Sequence, residues 1–193
     1  MSSTHWTSLV ACACRHYDRP MSDLLKLLPV VPDFPKLGVS FRDISPLLAD
    51  PQAFAQAIAG LRTLSASWPF DYLLGIEARG LVFAAALAQA CGVGLVLARK
   101  PNKLPTATFS ESYGLEYGTD MLQIQQSLLP RGARVLLVDD ILATGGSIGA
   151  AAGLVQQAGA VVSGALVLLE ITELNGRAAL AGRSVAVQSL LQV

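Results

Sequence analysis

The run Arg134–Asp140, "RVLLVDD", constrains the fold more than any other stretch of the chain. Val135 to Val138 are consecutive apolar residues without alternation, and they end on two adjacent acids. A strand with one wet face alternates apolar and polar residues, whereas an uninterrupted apolar run needs cover on both faces, as in a parallel sheet under crossover helices. "ILATGGS" follows, then a helix predicted from Gly146 to about Ala158, then a strand at "AVVSGALVLLEI". A second unit lies upstream: a strand at "YLLGI", a polar break at "EARG", a helix over "LVFAAALAQACG" and a strand at "GLVLA". Strands alternating with helices predict an α/β fold, a mostly parallel twisted sheet flanked by helices, with ligands at the carboxyl ends of the strands.

Composition narrows the partners. Of the 193 residues 52% are hydrophobic and 15% charged, so a membrane reading has to be tested. The two longest uncharged windows, Leu81–Ala98 and Ile141–Leu169, are each interrupted by Gly and Gln residues, which divides them into helix and strand pieces too short to span a bilayer. Lys plus Arg and Asp plus Glu both number 14, so no global field draws the chain to nucleic acid or an anionic membrane. Cys12, Cys14 and Cys91 lack zinc-type pairing and read as inert thiols of a cytoplasmic protein. The first twenty residues have no sustained apolar segment of a secretory signal.

Residues 1–28 read as an N-terminal extension leading, from Met21, into a first helix, and residues 29–193 as one domain. The proline-dense stretch from Pro29 to Pro51 is expected to wrap the core as an ordered irregular segment, because each proline holds its predecessor extended. Asp50-Pro51 predicts a helix start, with Phe54, Ala57, Ile58 and Leu61 on one apolar face. From Arg99 to Asp120 no period is sustained, and a connection of that length is expected to be a functional loop.

The two acids meet a loop suited to an anion. Thr144, Gly145, Gly146 and Ser147 open a helix whose unpaired N–H groups and positive dipole end favour a phosphate. The loop has neither the lysine of a Walker A motif nor the spacing of a dinucleotide fingerprint. Carboxylates beside a phosphate cradle make sense as acceptors for neutral hydroxyls near that phosphate, which the 2- and 3-hydroxyls of a ribose 5-phosphate supply. An isolated Asp-Asp more often simply caps the turn; the whole string favours the ligand reading.

The apolar strand, paired acids and Thr-Gly-Gly-Ser loop resemble the type I phosphoribosyltransferases. "VPDFPKLGVSFRDISPLL", "GIEARGLVFAAALA", "RKPNKLP", "ESYGLEYGTD" and "ELNGRAAL" extend the resemblance to the C-terminus and make it specific to the adenine-using members. The resemblance implies a small N-terminal hood, a flexible lid loop, a homodimer, and Mg²⁺-dependent transfer of phosphoribose from phosphoribosyl pyrophosphate to adenine. It implies that Asp139 and Asp140 hold the ribose hydroxyls and that Ala143, Thr144, Gly145, Gly146 and Ser147 hold the 5-phosphate. Arg79, Arg99, Lys100 and Lys103 would contact pyrophosphate; Val39, Ser40, Phe41 and Arg42 would form the adenine pocket. Glu116, with Tyr117 beside it, matches the lid glutamate that moves a proton of the purine; without the resemblance, Glu111 competes for that role. Mg²⁺ would come mainly with the pyrophosphate, with no dedicated protein metal site. The chain departs from the family pattern at Ser40, Asn102 and Thr106. The alternatives are transfer to xanthine, hypoxanthine or guanine, and a non-catalytic sensor of phosphoribosyl pyrophosphate; a nucleotide module on a related sheet is weaker.

Overall fold

The computed structural model describes residues 20–115 and 118–193; the expectations for residues 1–19 and for Glu116 and Tyr117 lie outside them. Five parallel strands form the centre: β3 (Tyr72–Ile76), β4 (Gly94–Ala98), β7 (Arg134–Leu142), β8 (Val161–Glu170) and β9 (Val187–Gln192), in the spatial order β4-β3-β7-β8-β9. The short pair β1 (Val30–Val31) and β2 (Phe41–Arg42) and the long hairpin of β5 (Thr108–Leu115) and β6 (Gly118–Gln125) are antiparallel and separate from it.

The apolar run of β7 explains the layering. Leu136 and Val138 face one core, with α2 (Pro51–Ser65) and α3 (Gly80–Cys91); Val135 and Leu137 face another, with α4 (Gly146–Gln157) and Leu122 and Ile124 of β6. All four are fully buried, as an uninterrupted run requires. In α2 the Asp50 carboxylate accepts from the Gln52 and Ala53 N–H groups at 2.9 and 3.0 Å and so satisfies two orphan donors of the first turn. Among the described residues no helix is long and apolar enough to cross a membrane.

The first helix from Met21 forms as a 3₁₀ helix over Met21–Leu27 and buries Leu24 completely. Two local expectations are corrected. The proline-rich stretch is not wholly irregular: it pairs Val30 with Arg42 and Val31 with Phe41, and Ser45–Ala49 forms the short helix α1. The 99–120 stretch is largely hairpin, anchored by reciprocal hydrogen bonds between Arg99 and Gln123. One face of that hairpin is wet, so its sequence carries Ser, Glu and Gln between the few buried positions.

Candidate active site

The carboxyl ends of β3, β4, β7 and β8 meet in one corner. There β7 delivers Asp139 and Asp140, which are 7% and 6% exposed. Two carboxylates so placed repel, and burial removes the water that would screen them. The two are handled differently. Asp139 accepts from the Asp140 N–H at 2.9 Å and from the Ser147 hydroxyl at 3.0 Å. Burial, and then the charge of Asp140, push its carboxyl well above the usual range. Asp140 pairs with Arg79, whose Nε lies 2.7 Å from Oδ2. That approach is off the N–H direction, so Oδ2 is buried with charge compensation but no hydrogen-bond donor. A buried acceptor in this state is open to a donor from a ligand.

Arg79 joins two sectors. It precedes α3, donates to the Arg42 carbonyl at 3.1 Å and lies 4.6 Å from the centre of the Phe41 ring. Phe41 in turn packs edge-on against Phe34 at 5.0 Å. The Glu77–Ala78 peptide just before Arg79 is cis.

Glu77, which opens the Glu77-Ala78-Arg79 turn that resembles the family's pyrophosphate loop, organises the basic cluster, a pairing its place in the sequence does not announce. It accepts from Arg99 Nε at 2.8 Å and from the Lys100 N–H at 2.6 Å. The Arg99 hydrogen bond is the main reason its carboxyl lies below the usual range, and Lys103 adds to it through its charge. The Lys100 ammonium turns to the hairpin, pairing with Asp120 and donating to the Tyr113 hydroxyl at 3.2 Å. Arg79, Arg99 and Lys100 are thus each partnered by an acid, and Lys103 is exposed.

Ala143, Thr144, Gly145, Gly146 and Ser147 line a cavity of about 220 Å³, with Ile141 on one side and Tyr113 and Gly114 of the hairpin on the other. Gly145 adopts φ +84°, a left-handed conformation that glycine takes at no steric cost, and this turns the chain from β7 into α4. Helix α5 (Gly176–Ala181) forms the back wall: a Cβ on Gly176 would collide with the Ala143 carbonyl and the Leu142 side chain. Val39, Ser40 and Arg42 line a second cavity of about 450 Å³, closed by Ile171, Glu173, Leu174 and Val193. Phe41 is not in its lining and packs beside it on Phe34 and Arg79. Ile171, Glu173 and Leu174 therefore wall the second cavity, and Gly176 packs behind the loop that lines the first. Sequence reasoning did not select them, although "ELNGRAAL" carried part of the resemblance. Glu116 and Tyr117 join β5 to β6 outside the described residues. No group of three or more His, Cys, Asp or Glu among the described residues is arranged to hold a metal.

Known proteins give the corner its context. Residues 46–179 match the family model described as "Phosphoribosyl transferase domain". The adenine phosphoribosyltransferase of Polynucleobacter asymbioticus is 58% identical over 154 residues, 80% of this chain and 90% of its own. The crystal structure of that of Thermoanaerobacter pseudethanolicus superposes with a TM-score of 0.87 at 43% identity, covering 90% of this chain and all of the other. The Saccharomyces cerevisiae structure, in complex with an imino-altritol bisphosphate and adenine, gives 0.81 at 38% identity over 89% and 98% of the two chains. By fold, by the parallel-sheet corner and by these matches, the chain belongs to the type I phosphoribosyltransferase family, on its adenine phosphoribosyltransferase branch.

Proposed function

We propose that the chain makes AMP and pyrophosphate from adenine and 5-phosphoribosyl 1-pyrophosphate. The observation that carries this reading is the pairing of Asp139 and Asp140 with the Ala143–Ser147 cavity at one strand end, beside a second cavity lined by Val39, Ser40 and Arg42. The relatives support adenine as the base, and the yeast protein was crystallised with it.

In the reaction, adenine N9 bonds to the anomeric carbon, the bond from that carbon to the pyrophosphate oxygen breaks, and the purine releases one proton. Positive charge grows on the sugar as the leaving group departs, as in glycoside chemistry. Main-chain N–H groups of the Ala143–Ser147 loop hold the 5-phosphate at the start of α4. Asp139 and Asp140 accept from the ribose hydroxyls, the donor-free Oδ2 of Asp140 being the readiest acceptor. Arg79, Arg99 and Lys100 take the pyrophosphate, exchanging their present acid partners for the more highly charged leaving group, and the exposed Lys103 joins them. Val39, Ser40 and Arg42 read the base edge, and Phe41 supports the pocket from the side. Glu116 takes the purine proton when the lid, with Tyr117, closes and excludes water.

Mg²⁺ would neutralise pyrophosphate charge as it arrives with the substrate, and the donor-free Oδ2 of Asp140 is the chain's fitting acceptor for the waters of its shell. We further assign a cytoplasmic, homodimeric enzyme built from one domain over residues 29–193, with residues 1–28 as an extension and no nucleic-acid or membrane partner. The test is a steady-state assay with Mg²⁺ and phosphoribosyl pyrophosphate across adenine, hypoxanthine, guanine and xanthine. Adenine should be turned over far faster than the rest; equal or faster use of a 6-oxopurine would overturn the assignment.

A further inference from the structure

We infer that Arg177, through its ion pair with Glu170, is a positioning residue for the sugar phosphate, clamping the 171–176 connector so that α5 backs the Ala143–Gly145 loop. The inference rests on the reading of that loop as the 5-phosphate site.

Glu170 ends β8 and its side chain is only 6% exposed. Arg177 grips both carboxylate oxygens, Nε on Oε1 at 2.9 Å and Nη2 on Oε2 at 2.5 Å, while its Nη1 donates to the Val187 carbonyl. Ser189 Oγ and Gln192 Nε2 complete the shell of Oε2 at 2.8 and 3.1 Å. One guanidinium thus ties the end of β8, the first turn of α5 and β9 together, in the planar fork geometry that lysine cannot reproduce.

The connector between the paired residues is short and held at its start. Ile171 N–H donates to the Leu142 carbonyl and Thr172 N–H to the Val193 carbonyl, both at 2.9 Å. Beyond Thr172 its backbone hydrogen bonds are local turns, such as Leu174 N–H to the Ile171 carbonyl. Among the described residues, the hydrogen bonds from α5 to the sheet all come from Arg177. The contact it secures is intolerant of shift: Gly176 presses its bare Cα against Ala143, and an added Cβ on Gly145 would lie 2.9 Å from the Gly176 carbonyl and 3.1 Å from Leu180. The loop's N–H groups aim at a phosphate only while this wall stays in place. The pyrophosphate sector around Arg79, Arg99 and Glu77 stands on β3 and β4, at the other end of the sheet order from β9, and does not share the clamp.

This separation sets the test. Binding of ribose 5-phosphate and of pyrophosphate is measured by calorimetry on the full chain as wild type, Arg177→Ala, Arg177→Lys and Glu170→Gln. Arg177→Ala should weaken ribose 5-phosphate by roughly tenfold or more, the scale of a sub-ångström misplacement, with pyrophosphate affinity held and KM for phosphoribosyl pyrophosphate raised far more than kcat falls. Since the Arg177 side chain is 46% exposed, free guanidinium added to Arg177→Ala should recover ribose 5-phosphate binding, where sodium at equal ionic strength should not. Arg177→Lys and Glu170→Gln, which keep part of the contact, should fall between. Unchanged ribose 5-phosphate affinity, equal loss of both ligands, or no recovery with guanidinium would overturn the inference; an insoluble Arg177→Ala leaves the two milder variants to decide by the same ratio. Wild-type protein that ignores ribose 5-phosphate would instead remove the phosphate-site reading, and the clamp with it.

Discussion

Replacing Gly80 by Ala tests whether the corner depends on close approach of α3 to β7. A Cβ at this position would lie 2.7 Å from Asp139 Oδ1, 2.9 Å from Asp139 Cα and 2.9 Å from the Val138 carbonyl oxygen. Two of these atoms belong to the backbone of a buried central strand, so the first turn of α3 must retreat, by roughly half an ångström to regain ordinary carbon contact distances. Overpacking of this kind costs about 1–3 kcal/mol. The conformational gain of Ala over Gly offsets at most about 0.5–1 kcal/mol, less at a helix start. The net expectation is a loss of about 1–2 kcal/mol in urea unfolding. Retreat also draws Arg79 from Asp140, so KM for phosphoribosyl pyrophosphate should rise roughly several-fold to tenfold, given that misplacement by 1 Å can cost about 10². Gly182→Ala is the control, since its Cβ would meet only the Ala179 carbonyl at an ordinary 3.8 Å. Gly80→Ala protein as stable as wild type with unchanged KM would refute the close-approach argument.

Four further expectations follow, three from the site and clamp geometry and one from the role proposed for Glu116. Asp139→Asn should stabilise the ligand-free fold near neutral pH, because a carboxyl raised by burial contributes most below the ordinary carboxylate range and loses that contribution as pH rises through its folded value. The same variant, and Asp140→Asn, should use phosphoribosyl pyrophosphate poorly; a full kinetic record in either would remove the ribose role. Glu116→Gln should lower kcat by roughly 10²- to 10⁴-fold, the range of general acid–base groups, with little change in substrate affinity measured by direct titration. Arg177 holds the Glu170 carboxyl at about 2. That depressed value gives stability which is present above the ordinary glutamate range and fades as pH falls from there toward about 2, so acid unfolding of Glu170→Gln, followed by circular dichroism, should be less steep.

The parts of the fold legible in the sequence are those buried on both sides. β3, β4, β7 and β8 appear as continuous apolar runs because helices cover both faces of their sheet, and α2 is marked by its Asp50-Pro51 start. The hairpin was not legible, because period-two signal survives only at Leu122 and Ile124 while Ser110, Ser112 and Gln123 face outward or lie at the surface. Within the site, Asp139, Asp140 and the Thr144–Ser147 loop stand together in sequence and share one turn in space. The back wall at Gly176 and the far wall of the larger cavity at Ile171, Glu173 and Leu174 lie some thirty residues away and act largely through backbone position. No side-chain type announces such a role. The Glu77 pairing with Arg99 was hidden for a related reason: it depends on β3 and β4 being neighbours in register, Ile76 beside Ala98, which only the fold supplies.

The central claim is that a ribose 5-phosphate is held where β7 turns into α4. A crystal structure with AMP tests it most directly. The phosphate should lie against the N–H groups of residues 143–147, with the ribose hydroxyls on Asp139 and Asp140 and the base in the cavity beside Val39, Ser40 and Arg42. A nucleotide bound at another surface, with this corner left as it is in the free chain, would contradict the account.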